Sequence, residues 1–240
     1  MSIEWIIKIV SENWPMFLRG AGMTLLIALV GTIIGAIIGL IAGVIRTIPM
    51  PDRGAKRYIL KLVNFILSVY IEFFRGTPMI VQAMVIYYGS AIAFNIDMNV
   101  LMAAIIVVSI NTGAYMAEYV RGGIVSIDKG QFEAAQAIGM NHYQTMMNVV
   151  LPQVVRNILP ATGNQFVINI KDTSVLNVIS VSELYFLTKS VAGNNFRYFE
   201  SFFVACMIYF VMTFVVTRIL LYFERKLDGP ENYSMHHESK

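Results

Sequence analysis

Three long apolar runs constrain the fold of this chain more than any other feature of its sequence. They cover residues 21–45, 100–120 and 202–221, and a helix needs roughly 20 apolar residues to cross about 30 Å of hydrocarbon. The chain is 57% hydrophobic and only 14% charged, which leaves too little polar surface for a protein that faces water on every side. Each run therefore predicts a helix that spans a lipid bilayer.

Two further apolar segments are interrupted by polar residues. Residues 58–93 are broken at 75–78, Arg-Gly-Thr-Pro, and residues 157–180 are dense in polar side chains. Counting both gives about five spans, so we predict an all-α, polytopic membrane protein with a single domain over residues 1–240. The sequence leaves open whether 58–93 is one kinked span or an interfacial helix followed by a span.

Basic residues indicate the orientation of these spans. The loop after the first span carries five cations and one acid, and cytoplasmic loops are enriched in Lys and Arg. With five spans, residues 121–156 and the carboxyl terminus then lie inside and the amino terminus outside. The net charge of +3 is too small to indicate a nucleic-acid partner. The cations of the loop are Arg46, Arg53, Lys56, Arg57 and Lys61.

A glycine recurs every four residues in the first span. Residues at this spacing lie on one face of a helix, where small side chains let a second backbone approach closely. Two interpretations remain open, packing within the subunit and packing between subunits. The glycines are Gly31, Gly35, Gly39 and Gly43.

The loop at 121–156 contains start and stop signals for two short helices. Asp128 is a favourable amino-terminal cap and Gly139 suits a helix end. The start signal recurs at Asn141 and Gln144, which have the spacing of a capping box, and Leu-Pro at 151–152 is expected to end the second helix. The loop is therefore predicted to be rigid.

A motif in this loop resembles the signature of permease subunits of ATP-binding-cassette importers. It reads Glu-Ala-Ala at 133–135, then Gly139, then Val149, where that family usually has isoleucine, and then Leu-Pro at 151–152. Segments 72–78, 111–124 and 171–174 are similar to the polar amino acid branch of the family. The resemblance covers roughly residues 18–225.

The resemblance implies a type I importer fold in which two permease subunits, identical or related, surround a path. It also implies a cytoplasmic ATPase partner that holds ATP and magnesium, an extracytoplasmic solute-binding protein, and a location in the plasma membrane of a prokaryote. This chain contains no Gly-x-x-x-x-Gly-Lys-Ser/Thr loop, so no cofactor is expected on it. The helix that couples to the ATPase would present Glu133, Ala134, Ala135, Ile138, Gly139 and Met140.

Polar residues inside the predicted spans are the candidate substrate contacts, because such groups are costly in lipid and mark pathways. For Glu72 and Glu118 we leave open whether they contact substrate or only pair with Arg75 and Arg121. For the fourth span the alternative is hydrogen bonding between helices. The candidates are Glu72, Asn111, Tyr115, Glu118, Gln165, Asn169, Lys171, Asp172, Thr173 and Ser174.

We therefore predict the transmembrane subunit of an ATP-driven importer that moves a polar amino acid by alternating access. Three acids, Glu72, Glu118 and Asp172, weakly favour a basic solute such as arginine, lysine or histidine, and glutamine is almost as well supported. Two alternatives are an ATPase-recruiting scaffold or sensor and an ion-coupled secondary transporter. No catalytic residue and no metal site is predicted, since neither His-Glu-x-x-His nor Gly-x-Ser-x-Gly occurs.

Overall fold

The computed structural model describes residues 2–228, and every regular element in that range is helical. This confirms the all-α prediction. Three helices are long and apolar enough to cross a membrane, and the number rises to five if each of two bent pairs forms one span. A π-helical segment, Met146–Val150, precedes α7, and a 3-10 segment, Thr173–Ile179, follows it. The α-helices are α1 (Ile3–Arg46), α2 (Ala55–Gly76), α3 (Met79–Phe94), α4 (Val100–Val125), α5 (Lys129–Ala137), α6 (His142–Thr145), α7 (Leu151–Asp172), α8 (Leu184–Asn195) and α9 (Tyr198–Asp228).

Helix α1 begins well before the predicted start of the first span at residue 21. It is continuous over 44 residues and contains Pro15. Its amino-terminal part is ordered by packing, because Ile9 and Phe17 are buried in a cluster with Leu184, Val191 and residues of α9. The early part of the chain is therefore a helix that lies beside α9.

The glycine stripe of α1 packs against α4 of the same chain. A Cβ atom on Gly31 would lie 2.5 Å from Cγ1 of Val108, and one on Gly35 would lie 2.6 Å from Cβ of Thr112. The stripe therefore serves packing within the subunit, which selects one of the two interpretations left open by the sequence. Successive glycines meet residues four apart in the same order, so the two helices run parallel. The facing residues on α4 are Val108, Thr112, Met116 and Val120.

Helices α2 and α3 meet at a sharp bend within the stretch where the sequence predicts a break. Their axes differ by 115°. Thr77 is extended (φ −120°, ψ 148°), as expected for a residue that precedes a proline. The side-chain amide of Gln82 donates to the carbonyl oxygens of Phe74 and Thr77, each at 2.9 Å. Gln82 thus satisfies backbone groups that the bend exposes.

The caps of the short helices α5 and α6 follow the sequence signals. Asp128 Oδ1 accepts from the backbone N–H of Gly130 at 2.6 Å. Gly139 has φ +82°, and the N–H of Met140 reaches the carbonyl of Ala135 at 3.0 Å, which completes a Schellman motif. Asn141 and Gln144 form the predicted capping box. The rigid loop therefore depends on local chemistry that the sequence displays.

The helix that starts at His142 does not end at Leu-Pro, and that prediction is wrong. It passes through the π-helical segment and continues as α7 to Asp172. A proline inside an α-helix lacks an N–H and clashes with the carbonyl four residues earlier. Here the N–H of Leu151 donates to the carbonyl of Met146, five residues back, so the wider turn accommodates Pro152.

The polar fourth segment is a broken helix. The α-helical part ends at Asp172, the 3-10 segment continues to Ile179, and Ser180 adopts φ +64°. Glu183 is fully buried and caps α8 by accepting from the N–H groups of Tyr185 and Phe186 at 2.9 and 2.7 Å. The hydroxyl of Tyr209 also donates to Glu183, at 2.8 Å, which anchors α8 to α9.

Replacing Gly39 tests the α1–α4 packing. A Cβ there would meet Met116 Cβ and, at 2.8 Å, the backbone N of Ala117, so we expect Gly39→Ala to destabilise the protein by about 1–3 kcal/mol, as overpacking does. The matched control is Gly22→Ala on the same helix, because nothing lies within 4 Å of a Cβ at Gly22. Thermal denaturation in detergent, read by size-exclusion chromatography, measures both. Equal melting temperatures for the two variants would contradict this packing.

Candidate functional site

A polar cleft of about 300 Å³ lies where the α2–α3 bend, α4 and α7 meet. Four of the predicted substrate contacts line it, namely Asn111, Tyr115, Gln165 and Asp172. The sequence did not single out the other lining residues as contacts. They are Thr77, Pro78, Met79, Tyr119 and Ile168.

The wall of the cleft on the α3 side is fixed by an amide pair. Asn111 Nδ2 donates to Gln82 Oε1 at 2.9 Å and lies 3.2 Å from the carbonyl oxygen of Phe74. The Gln82 amide also donates to the carbonyl oxygens of Phe74 and Thr77 at the bend. One hydrogen-bond network therefore joins α2, α3 and α4. Gln82 was missed by the sequence analysis. The available signal was a lone amide in an apolar helix, four residues after Pro78.

A second amide network lies behind the cleft. Asn169 is 1% exposed, and its Nδ2 donates to Thr32 Oγ1 at 2.8 Å and to Thr112 Oγ1 at 2.9 Å. Gln165 Nε2 donates to Asn169 Oδ1 at 3.3 Å. Asn169 therefore joins α7 to both helices of the glycine-stripe pair, and it positions Gln165, which reaches the cleft.

Neighbouring residues at the end of α7 face different clefts. Asp172 lines the polar cleft, whereas Lys171 and Ser174 line a second cleft of about 350 Å³ beside α9. Thr173 is fully buried, and its hydroxyl donates to the carbonyl of Ile170 at 3.0 Å. Successive side chains project about 100° apart on a helix, which separates Lys171 from Asp172. The structure thus does not place the predicted lysine and aspartate in the same cleft.

Glu118 lies in a cluster of opposite charges at the ends of α1 and α4. It accepts from Arg121 Nε and Nη2 at 3.0 and 2.9 Å, and Arg46 also donates to it. The carboxylate thus makes the ion pair that was one of its two predicted roles, and it links α1 to α4.

Glu72 is exposed, and it makes no ion pair within residues 2–228. The guanidinium of Arg75 instead stacks on the ring of Tyr115, 5.5 Å from its centroid. Pairing of Glu72 with Arg75, one of the two roles left open, is therefore not observed.

Helix α5 presents two different faces. Phe132 packs against the buried cluster formed by α4, the π-helical segment and α7, and Ala135 is 3% exposed. Glu133 and Ala134 are exposed, and Ile138 is 75% exposed. Ala135 therefore anchors the helix to its own chain, while the neighbouring residues form a surface that contains an exposed large apolar side chain.

Removing the charge of Glu118 tests the ion cluster. Glu118→Gln leaves Arg46 and Arg121 without their carboxylate, and we expect a loss of about 1 kcal/mol of stability, at the upper end for partly exposed ion pairs. Glu72→Gln is the matched control, because Glu72 is exposed and makes no ion pair within residues 2–228. The two melting temperatures are compared in the same detergent at low and high salt. A stability change for Glu72→Gln as large as that for Glu118→Gln would refute this assignment.

Comparison with known proteins identifies the family. A family described as "Binding-protein-dependent transport system inner membrane component" matches residues 35–229. The glutamine transport system permease protein GlnP of Escherichia coli (strain K12) is 39% identical over 231 residues, which are 95% of this chain and 99% of that protein. The probable amino-acid permease protein YxeN of Bacillus subtilis (strain 168) is 34% identical over 231 residues, or 95% of this chain and 98% of that protein.

A solved structure agrees with these sequence relatives. The crystal structure of an amino acid ABC transporter with histidines has a TM-score of 0.80 and 34% sequence identity, and the match covers 94% of this chain and 100% of that chain. The fold, the family match and the relatives along nearly the whole chain lead to one conclusion. The chain belongs to the binding-protein-dependent transport system inner membrane components, as a multi-pass permease subunit of an ATP-binding-cassette importer whose ATP hydrolysis is carried out by a separate subunit.

Proposed function

We propose that this permease subunit moves a polar amino acid through the cleft between the α2–α3 bend, α4 and α7. The observation that carries the proposal is the combination of two amide side chains, a tyrosine and a carboxylate on the wall of one cleft. Similar proteins include a glutamine transport system permease and a solved amino acid transporter, which supports the same class of solute.

The bend supplies partners of both signs for an amino acid zwitterion. Thr77, Pro78 and Met79 line the cleft, so the carboxyl end of α2 and the amino end of α3 both lie beside it. A helix carries partial negative charge at its carboxyl end and partial positive charge at its amino end. The solute ammonium would lie near the α2 end and Asp172, and its carboxylate near the free N–H groups at the start of α3.

The lining residues also bear on the side chain of the solute. Of the three acids that weakly favoured a basic amino acid, only Asp172 lines the cleft, while Glu118 pairs with arginines and Glu72 is exposed. Asn111 and Gln165 offer amide partners that suit a glutamine side chain. The cleft therefore supports glutamine at least as well as arginine, lysine or histidine.

Coupling to ATP would run through α5. We propose that Glu133, Ala134, Ile138, Gly139 and Met140 dock in a cleft of the ATPase subunit, with Ala135 holding the helix against its own chain. Closure of two ATPases on ATP and magnesium would draw the loops of two permease subunits together, and the spans would then open towards the solute-binding protein.

The orientation consistent with this scheme has the amino terminus outside and the carboxyl terminus inside. The cations of the α1–α2 loop and Arg225 and Lys226 near the end of α9 then lie on the cytoplasmic side. The parallel packing of α1 and α4 agrees with this arrangement, because the first and third spans cross in the same direction.

Asp172→Asn tests the cleft. In vesicles that hold the complete importer, we expect ATP-dependent uptake of its amino acid to fall about tenfold or more, because Asp172 is the only acid among the described residues that line the cleft. Ser174→Ala is the matched control, since Ser174 lies two residues away and lines the other cleft. Labelled glutamine, arginine, lysine and histidine form the panel. Normal uptake by Asp172→Asn would refute the site, and loss of uptake in both variants would point to a general defect.

Glu133→Ala tests the coupling surface. We expect ATP-dependent uptake to fall by more than about tenfold, the scale of an interface hot spot, while binding of solute to its binding protein is unaffected. Gln131→Ala is the control, because Gln131 is exposed on the opposite flank of the same helix. Co-purification of the ATPase reports docking separately from transport. Normal ATP-dependent uptake and normal co-purification of the ATPase with the Glu133→Ala variant would show that Glu133 is not part of the interface. A complex that hydrolyses ATP without moving solute would favour the alternative of a scaffold or sensor.

A further inference from the structure

A long apolar groove runs between the amino-terminal part of α1 and α9. Its volume is about 520 Å³, and every residue that lines it is apolar. Val10, Trp14 and Phe17 form one wall, and Met207, Val211 and Met212 form the other. The transport scheme above makes no use of this groove.

Two cations and a tryptophan lie at one end of the groove. Lys8 Nζ is 4.9 Å and Arg197 Cζ is 4.6 Å from the centroid of the Trp5 ring. Both cationic side chains are exposed. Lys8 Nζ also lies 4.0 Å from Glu12 Oε1, whereas Arg197 makes no ion pair with any residue between 2 and 228. Among the residues that the structure describes, the Arg197 guanidinium at this end of the groove therefore makes no ion pair.

The depth of these groups matches the layers of a bilayer. From Tyr198, the residue after Arg197, to Arg225 the axis of α9 extends about 40 Å at 1.5 Å per residue, and a bilayer with its headgroups is about 40–45 Å thick. With α9 as the last span, Arg197 and the Trp5 ring against it would lie near one membrane surface, where tryptophan is enriched. From Phe203 to Met212 the groove follows α9 for about 14 Å, close to half of the roughly 30 Å of hydrocarbon.

We propose that the groove binds one glycerophospholipid, with its phosphate on Arg197 and Lys8 and an acyl chain between α1 and α9. A phospholipid matches this place in chemistry, because its anionic phosphate complements the two cations and its acyl chain complements the apolar walls of the groove. In the orientation proposed above, the lipid belongs to the outer leaflet. The inference does not depend on which solute is carried.

Lipid retention by the intact importer tests the site. The complex is extracted into polymer-bounded nanodiscs, transferred to mild detergent and analysed by native mass spectrometry for bound phospholipid. We expect retention to fall about fivefold for each cation removed in Arg197→Ala and Lys8→Ala, and to fall similarly in Ala21→Phe, which fills the groove. Lys189→Ala is the control, since Lys189 is an exposed cation outside the groove. Wild-type retention in Arg197→Ala and Ala21→Phe would overturn the proposal.

Photocrosslinking is a second test, and it does not require the charge variants to assemble. A photoreactive p-benzoylphenylalanine in place of Met207 faces the groove and is irradiated in the assembled complex in native membranes. The expected product is a permease with the added mass of a phospholipid. An adduct with another polypeptide or with a second copy of this chain would show that protein covers the groove, and would overturn the lipid assignment.

Discussion

The close parallel contact between α1 and α4 is the interaction on which the rest of the structure depends. Four glycines of α1 let the α4 backbone approach closely, which is how helices associate where lipid removes most of the hydrophobic driving force. Every element of the polar cleft is then positioned relative to this pair. Helix α7 joins it through Asn169, the α2–α3 bend joins it through Asn111, and the ends of the pair are linked by Glu118 with Arg46 and Arg121.

Broken helices give the cleft its chemistry. A helix that stops inside a membrane exposes backbone groups, and these must be satisfied by protein or by a wet cavity. At the α2–α3 bend Gln82 satisfies two carbonyls, and at the end of α7 the chain continues as a 3-10 segment. The helix ends beside the cleft also carry partial charges of both signs, which would suit a zwitterion, so the breaks in the helices serve both the structure and the proposed transport function.

Local signals in the sequence predicted local structure well. The break at Pro78, the cap at Asp128, the Schellman glycine Gly139 and the Asn141–Gln144 capping box all depend on residues within a few positions of each other, and each appears in the structure. The Pro152 prediction failed because a proline stops an α-helix only when the turn before it stays α-helical, and the π-helical segment changes that turn.

Contacts between distant segments could not be predicted, because the residue pattern of one segment does not show which other segment packs against it. Asn169 and Thr32 are separated by 137 residues, so nothing near either residue indicates that they meet. Lys171 and Asp172 are adjacent in sequence, but the rotation of α7 about its axis decides which of them reaches the cleft, and that rotation is set by packing against α1, α4 and α9. The structural roles of Gln82 and Glu183 were not predicted for the same reason, because packing of distant segments brings their hydrogen-bond partners to them.

A structure of the assembled importer with its amino acid bound tests the central claim most directly. The complex of this permease, its ATPase and its solute-binding protein would be imaged by cryo-electron microscopy in nanodiscs, with the preferred amino acid of the uptake panel present. The account predicts density for one zwitterion in contact with Asn111, Gln165 and Asp172, beside the bend at Thr77 and Pro78. Density in the cleft lined by Lys171 and Ser174, with the polar cleft empty, would contradict it.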